Sequence, residues 1–395
     1  MGYNKLTFRL KQHTPLIHFQ HHQEGATLRA TELKPKLDRF ILEKLGDGDT
    51  AKGVSMARNR EWIISEHPAL AYKVMLYTPD VKIQKIEKGQ RIPMYFGNIA
   101  RDYDMSPRFY SFSRSSVTVR FFSQNNDIID LIRKFFPAFI AVTNFGTRQN
   151  KGFGTFWVDG YAPNELLNNT SYLQIKKNQI RDFNDILNVI NYYYQRLKSG
   201  INYSYLNKRT HMNFTHYKHS FLKLYLSKNE DYQWEKRWIK EKFLGLESSD
   251  VAKKFARSML GLADSYTYKS PRHKRPDQVY PKYDLEIRVN HWLGKEEEEQ
   301  ENIKKKKITR FKSPITFKPL EFDNEWRIYI ISSEIPEQLE DQTFRFESDD
   351  KSHDLKTPAK RIIISKLLES YNDHLGKKFK AYTYSGKYYD VEIAF

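Results

Sequence analysis

His13, His18, His21 and His22 lie close together near the N-terminus. An imidazole that titrates near neutral pH can serve as general base or acid toward a ribose 2′-hydroxyl. Three of them, His18, His21 and His22, also have the donor chemistry of a metal cluster. No carboxylate motif stands near them, so polar side chains in a surface loop are the plainer reading. Asp102 and Asp104, in Arg101-Asp102-Tyr103-Asp104-Met105, are the second candidates, since a carboxylate can position a 2′-hydroxyl or hold a cation. Beside Arg101, Arg108 and Arg114 they read more simply as local ion pairs. No Ser-His-Asp or H-E-x-x-H arrangement occurs. No catalytic residue is therefore assigned, and neither metal nor cofactor is expected.

Binding chemistry is better represented than catalytic chemistry. The stretch Asn144-Phe145-Gly146-Thr147-Arg148-Gln149-Asn150-Lys151-Gly152-Phe153-Gly154-Thr155-Phe156 brackets two cations and two amides with three glycines. Glycine permits positive φ and close backbone approach. Arg148 and Lys151 are expected to be exposed and to meet phosphate, with Gln149 and Asn150 bonding sugar or base edges. A nucleotide-cofactor loop is excluded by order, because the helix precedes the glycines and no G-x-x-x-x-G-K-[ST] is present. The competing reading is a plain glycine-rich hairpin with incidental charge.

Composition points the same way. Lys and Arg total 66 against 48 Asp and Glu, a net charge of +18 that suits a polyanion such as RNA. The 395 residues suffice for two domains. No apolar run is long enough to span a membrane, and the N-terminus enters a strand pattern without a signal core. With no cysteine, disulfides and thiolate zinc are impossible, which fits a cytoplasmic protein. The 26 Tyr and 26 Phe supply both core packing and base stacking.

The elements that must position these residues follow from periodicity. Leu6 to Lys11 alternates as a strand. Leu33, Leu37, Phe40 and Ile41 recur at helical spacing, leaving Arg29, Lys34, Lys36 and Arg39 on other faces, with the regular helix beginning at Pro35. Residues 71–86 alternate as a strand or hairpin, and 89–114 lacks a period and reads as a functional loop. A strand at 117–122 and a helix at 128–142 deliver the chain into the glycine loop. The order strand, helix, strand, strand, helix, strand is the ferredoxin-like (RRM-like) pattern of an α+β fold. Farther on, helices are expected at 180–197, 232–244 and 250–262. A basic linker spans 266–282, and a block of four glutamates then four lysines between 295 and 307 reads as a solvated insertion. Strands at 284–289, 308–320 and 326–332, a helix opening at Thr357-Pro358, and a closing hairpin around Ser385-Gly386 complete the chain.

Several of these pieces together resemble a known family. They are the strand ending Thr14-Pro15-Leu16-Ile17, the loop with Gly25, the basic helix Leu28-Arg29 to Lys34-Pro35-Lys36-Leu37, and the loop Gly146 to Gly154. The later Arg310-Phe311-Lys312-Ser313-Pro314-Ile315 also echoes Arg9 to Leu16. In these the chain resembles the RAMP superfamily of CRISPR-associated proteins, most of all the first subunits of type III-B (Cmr) effector complexes. The resemblance implies tandem ferredoxin-like domains with a helical insertion, divided as 1–165, 166–270 and 271–395. It implies a non-catalytic subunit whose partners are guide RNA, target RNA and other effector-complex subunits. The implied RNA-binding set is Arg29, Lys34, Lys36, Arg39, Gly146, Arg148, Gln149, Asn150, Lys151, Gly152 and Gly154. The alternative within the superfamily is an endoribonuclease that processes guide precursors through a histidine. A basic scaffold for an acidic protein partner is a third reading.

Overall fold

In a computed structural model of the chain, the described residues are 3–18, 27–86, 108–206, 213–227, 233–245, 253–262, 265–268, 285–293, 306–308, 312–335, 339–348, 351–360, 362–383 and 386–395. Along the first unit run β1 (Asn4–Gln12), α1 (Ala30–Leu45), α2 (Thr50–Asn59), β2 (Lys73–Tyr77), β3 (Val81–Ile86), β4 (Arg108–Ser113), β5 (Val117–Ser123), α3 (Asn126–Val142), β6 (Phe156–Val158) and the single turn α4 (Pro163–Leu166). Strands β2-β5-β1-β6 form one sheet in that order, each neighbouring pair antiparallel, and β3 pairs with β4 as a separate ribbon. This is the ferredoxin-like order. Alternation in β1 and β5 sends Leu10, Val117, Val119 and Phe121 to one face, where they meet Leu33, Leu37 and Ile41 of α1 and Ile128, Ile132 and Phe136 of α3. Asn125 caps α3, its Oδ1 accepting the N–H of Asp127 at 2.8 Å.

Onward run β7 (Tyr172–Lys176), α5 (Phe183–Lys198), β8 (Ile201–Leu206), β9 (Asn213–Lys218), α6 (Phe221–Ser227), β10 (Gln233–Trp234), α7 (Glu235–Phe243), β11 (Lys253–Lys254), β12 (Ser265–Tyr268), β13 (Leu285–Leu293) and β14 (Lys306–Ile308). The C-terminal part holds β15 (Ile315–Glu321), β16 (Glu325–Ser332), β17 (Thr343–Ser348), β18 (Lys351–Lys356), α8 (Ile364–Leu375), β19 (Lys378–Tyr382) and β20 (Tyr388–Ala394). A five-stranded sheet has the order β15-β16-β7-β20-β19. With α5 and α8 it repeats the ferredoxin-like arrangement, β7 being its first strand and β19 an added edge. The fold is thus tandem ferredoxin-like. Among the described residues no helix is long and apolar enough to cross a membrane.

The second unit begins earlier than 271. Residues of β7 and α5, expected in the helical insertion, belong to it, because β7 pairs with both β16 and β20. Between α5 and β15 the insertion carries α6 and α7 together with strands, and β10, β11, β12 and β13 join β17 and β18 in a separate sheet. The echo between β1 and the 310–315 stretch links strands that are not equivalent, since β15 is second in its unit.

Other differences have local causes. Helix α1 starts at Ala30, so Pro35 sits inside it rather than in its first turn. Of the helix expected at 250–262, the described residues form β11 followed by a 3-10 turn at Ala256–Leu260, because Phe255 N–H is drawn to Lys356 O at 2.7 Å. Thr357 does not open α8. Its hydroxyl accepts Gln342 N–H at 2.8 Å and donates to Leu339 O at 2.6 Å, closing the β17–β18 hairpin instead. The single strand expected at 308–320 is two, β14 and β15. Of the loop expected at 89–114, residues 108–113 are β4 and 87–107 lie outside the described residues. Most of the basic linker and of the charge block also falls outside them.

Candidate nucleic-acid interface

Helix α3 leads into the glycine loop, and β6 takes the chain out of it. Asn144 and Thr155 face each other as an antiparallel bridge, and Phe145 N–H bonds Gly154 O at 3.0 Å. The loop is stitched to the segment that follows β1: Thr147 N–H donates to Ile17 O at 2.7 Å and Gly154 N–H to Pro15 O at 2.8 Å. Gly152 has φ +91°, and a Cβ there would stand 2.9 Å from Pro319 Cγ and 3.0 Å from Ile190 Cδ1. Backbone conformation and close approach to the second unit therefore both require glycine there.

The first half of the loop is held by α1. Glu32 Oε1 accepts Gly146 N–H at 2.7 Å and Lys36 Nζ at 2.7 Å. The same ammonium donates to Gln149 Oε1 at 3.0 Å and Asn144 O at 3.3 Å. Arg39 is one turn farther along α1 and exposed. A groove of about 590 Å³ opens here, lined by Lys36, Arg39, Gln149 and Asn150 from the first unit and by Lys312 and Ser313 ahead of β15. Glu43 and Glu334 also line it. Desolvation by the surrounding protein lowers the Lys312 pKa, and so do the charges of Lys36 and Arg39. Three cations from two units thus share one field, which a bound anion would relieve.

The second half of the loop turns inward. Asn150 Nδ2 donates to Ser313 O at 2.6 Å, and Phe317 N–H to Asn150 O at 3.1 Å. Asn144 Nδ2 bonds both Gln149 O (2.7 Å) and Phe317 O (2.9 Å). Lys318, fully buried in β15, donates to Thr143 O at 2.9 Å and Asn144 Oδ1 at 3.3 Å, and burial pushes its pKa far down. Lys151 Nζ lies 4.3 Å from the Tyr194 ring centre, and burial, then Arg148, lowers its pKa to about 8. Lys198 beside it donates to Leu260 O at 3.2 Å; burial and then Lys151 and Arg257 push its pKa well below the ordinary lysine value. This half is a clasp between the two units.

The family description "Cmr1 N-terminal domain" matches residues 3–201, and "Cmr1 C-terminal domain" matches 217–385. The chain belongs to the Cmr1 family. That membership points to a subunit of a type III-B CRISPR effector complex. Among solved structures the chain is similar to Cmr1 from Pyrococcus furiosus in its apo form, with 10% identity and a TM-score of 0.38, covering 85% of this chain and 90% of that one. Comparison with curated proteins finds no match.

In this Cmr1-family chain the expected site residues are divided rather than gathered. Lys36, Arg39, Gln149 and Asn150 line the groove. Arg29, exposed at the N-cap of α1, lies close enough to depress the His18 pKa. Lys34 faces away: its ammonium bonds Asp38 at 2.7 Å and Leu70 O at 2.9 Å and stands 3.8 Å from the Tyr72 ring centre. Lys151, expected to be exposed, is drawn into the clasp. Arg148 is half-buried with φ +57°.

Both described histidines at the N-terminus are buried. His13 Nδ1 accepts Glu321 N–H at 2.9 Å, and burial, then Lys11 and Lys318, lowers its pKa to about 3. His18 is buried, and its pKa is lowered by burial and by Arg29. His21, His22, Asp102 and Asp104 lie outside the described residues. Among the described residues no cluster of His, Asp or Glu is arranged to hold a metal. Sequence reasoning missed Glu32, Asn144, Lys312 and Lys318 as site residues. Lys318 did leave a signal, a lysine inside the apolar alternation of Ile315-Thr316-Phe317-Lys318-Pro319-Leu320.

Proposed function

We propose that this chain is a non-catalytic RNA-binding subunit of a type III-B effector complex, holding guide RNA, and target RNA paired with it, for antiviral defence in the cytoplasm. The observation that carries the reading is the convergence of Lys36, Arg39 and Lys312 from both units on one groove floored by the glycine loop. Such cations bind backbone phosphate without reading bases, which suits a subunit whose specificity comes from base pairing. Arg29 and Arg148 extend the positive field beyond the groove. In this reading His13 is a structural residue, its Nδ1 accepting Glu321 N–H across the two units.

The test is co-purification of the tagged chain from its native host. Guide RNA and effector subunits are expected with the unmodified chain, and less RNA with Lys36→Ala/Arg39→Ala/Lys312→Ala. A tagged chain that emerges without RNA and without partners removes the reading. Site-specific cleavage of repeat RNA that disappears in His18→Ala would replace it with an endoribonuclease.

A further inference from the structure

Helices α1 and α3 cover one face of the first sheet, and the opposite face carries a different chemistry. Strand alternation places Lys5, Thr7 and Arg9 of β1, Thr118, Arg120 and Phe122 of β5, and Lys73, Met75 and Tyr77 of β2 there. Register arranges them in three rows across β1, β5 and β2. Lys5, Phe122 and Lys73 form the first, Thr7, Arg120 and Met75 the second, and Arg9, Thr118 and Tyr77 the third. At the β6 end of this face Trp157 packs with Leu320 and Tyr329 of the second unit. Tyr77 is 64% exposed and Met75 47%. Tyr3, 55% exposed, lies two residues before Lys5, with Lys73 Nζ 5.8 Å from its ring centre.

We infer that this open sheet face is a second binding site, for single-stranded RNA, separate from the groove. Three observations carry it together. The nine positions hold four cations and no carboxylate; Asp159, just past β6 at the border, accepts the Ser116 hydroxyl at 2.9 Å. Among the described residues none of Lys5, Arg9, Lys73 and Arg120 is in an ion pair, so the face keeps its charge. In every row the neighbours of a cation across the sheet are uncharged, so no two cations stand on directly paired positions. In the first row Phe122 lies between Lys5 and Lys73, whose strands are about 10 Å apart. A base stacked on Phe122 would then present its flanking phosphates to an ammonium on each side, and Tyr77 offers a second stacking surface two rows away. A folded duplex hides its base faces, so the ligand is single-stranded. An acidic protein would meet the charge but has no need of ring faces set between lysines.

Binding of a fluorescent oligouridylate to the full chain tests this, measured in the unmodified protein and in the groove-silenced Lys36→Ala/Arg39→Ala/Lys312→Ala background. Phe122→Ala is expected to weaken binding about 5- to 100-fold in both backgrounds, and Tyr77→Ala somewhat less. Lys5→Ala/Lys73→Ala is expected to flatten the plot of log K against log salt by about 1.4. Duplex RNA of equal length is expected to be insensitive to Phe122→Ala. The Tyr77 and lysine variants alter exposed side chains, so they decide the matter even if Phe122→Ala misfolds. Unchanged affinity and salt slope in these variants would overturn the inference. So would loss of a co-purifying subunit with RNA affinity intact, which would make the face a protein dock. If sheet variants lose RNA while the groove variant binds normally, the groove reading falls and this one stands; the reverse pattern removes this one alone.

Discussion

Gln149 and Asn150 line the basic groove, whereas Lys151 to Phe153, the next residues of the same turn, lie against the second unit. The start of the loop is tied to α1 through Glu32 and Lys36, and its base to β15 through Asn144 and Lys318. One short loop therefore carries a ligand-facing half and a structural half. The charge of a residue does not tell which half it serves; its neighbours do. Lys36 and Lys151 are both lysines beside glycines and amides, yet one lines the groove and the other lies against Tyr194.

The largest effect expected from this division is on stability, at Gly152. A valine there meets both positive φ and the Pro319 and Ile190 side chains, so Gly152→Val is expected to cost about 3–5 kcal/mol in chemical denaturation. A loss below about 1 kcal/mol would mean that the loop is not packed on the second unit. Asn144→Ala comes next. It removes the donor to Gln149 O and Phe317 O and takes one acceptor each from Lys318 and the Thr155 hydroxyl, a cost of about 2–4 kcal/mol by the same measurement.

A smaller effect appears in the pH dependence of stability. The folded-state pKa of Lys151, about 8, lies below its unfolded value, so the unfolded chain holds the extra proton between the two. Stability is therefore expected to rise from pH about 8 toward the ordinary lysine pKa, and Lys151→Met to reduce that rise. Lys198 and Lys318 shift in the same direction, so the slope flattens without vanishing. An unaltered profile would place Lys151 in water. Least of all, Arg39→Ala and Lys312→Ala are each expected to change stability by no more than about 0.5 kcal/mol, because both side chains are exposed. A larger change would merge the two halves.

The first ferredoxin-like unit was legible because its six main elements follow one another with clean periods, from the alternation of Leu6, Phe8 and Leu10 to the helical spacing of Ile128, Ile132 and Phe136. The second was obscured because its first strand and helix, β7 and α5, are separated from β15 by a long insertion. The helix expected at 250–262 also misled, since a long-range bond from Phe255 to Lys356 overrides local preference there. The glycine loop and Lys36 were readable as a site, since glycine and charge are local signals. Lys312 was not, because its role depends on where β15 docks. Lys34 and Lys151 carried the same charge signal and are engaged elsewhere, by Asp38 with Tyr72 and by Tyr194.

The measurement that bears most directly on the two halves is the salt dependence of single-stranded RNA binding. For Lys36→Ala/Arg39→Ala/Lys312→Ala the slope of log K against log salt is expected to fall by about 2, roughly 0.7 for each lost phosphate contact, while Lys151→Met leaves it unchanged. A triple variant that keeps the full slope, or a Lys151→Met protein that loses as much as the triple variant, would contradict the assignment of the groove as the RNA-facing side of the loop.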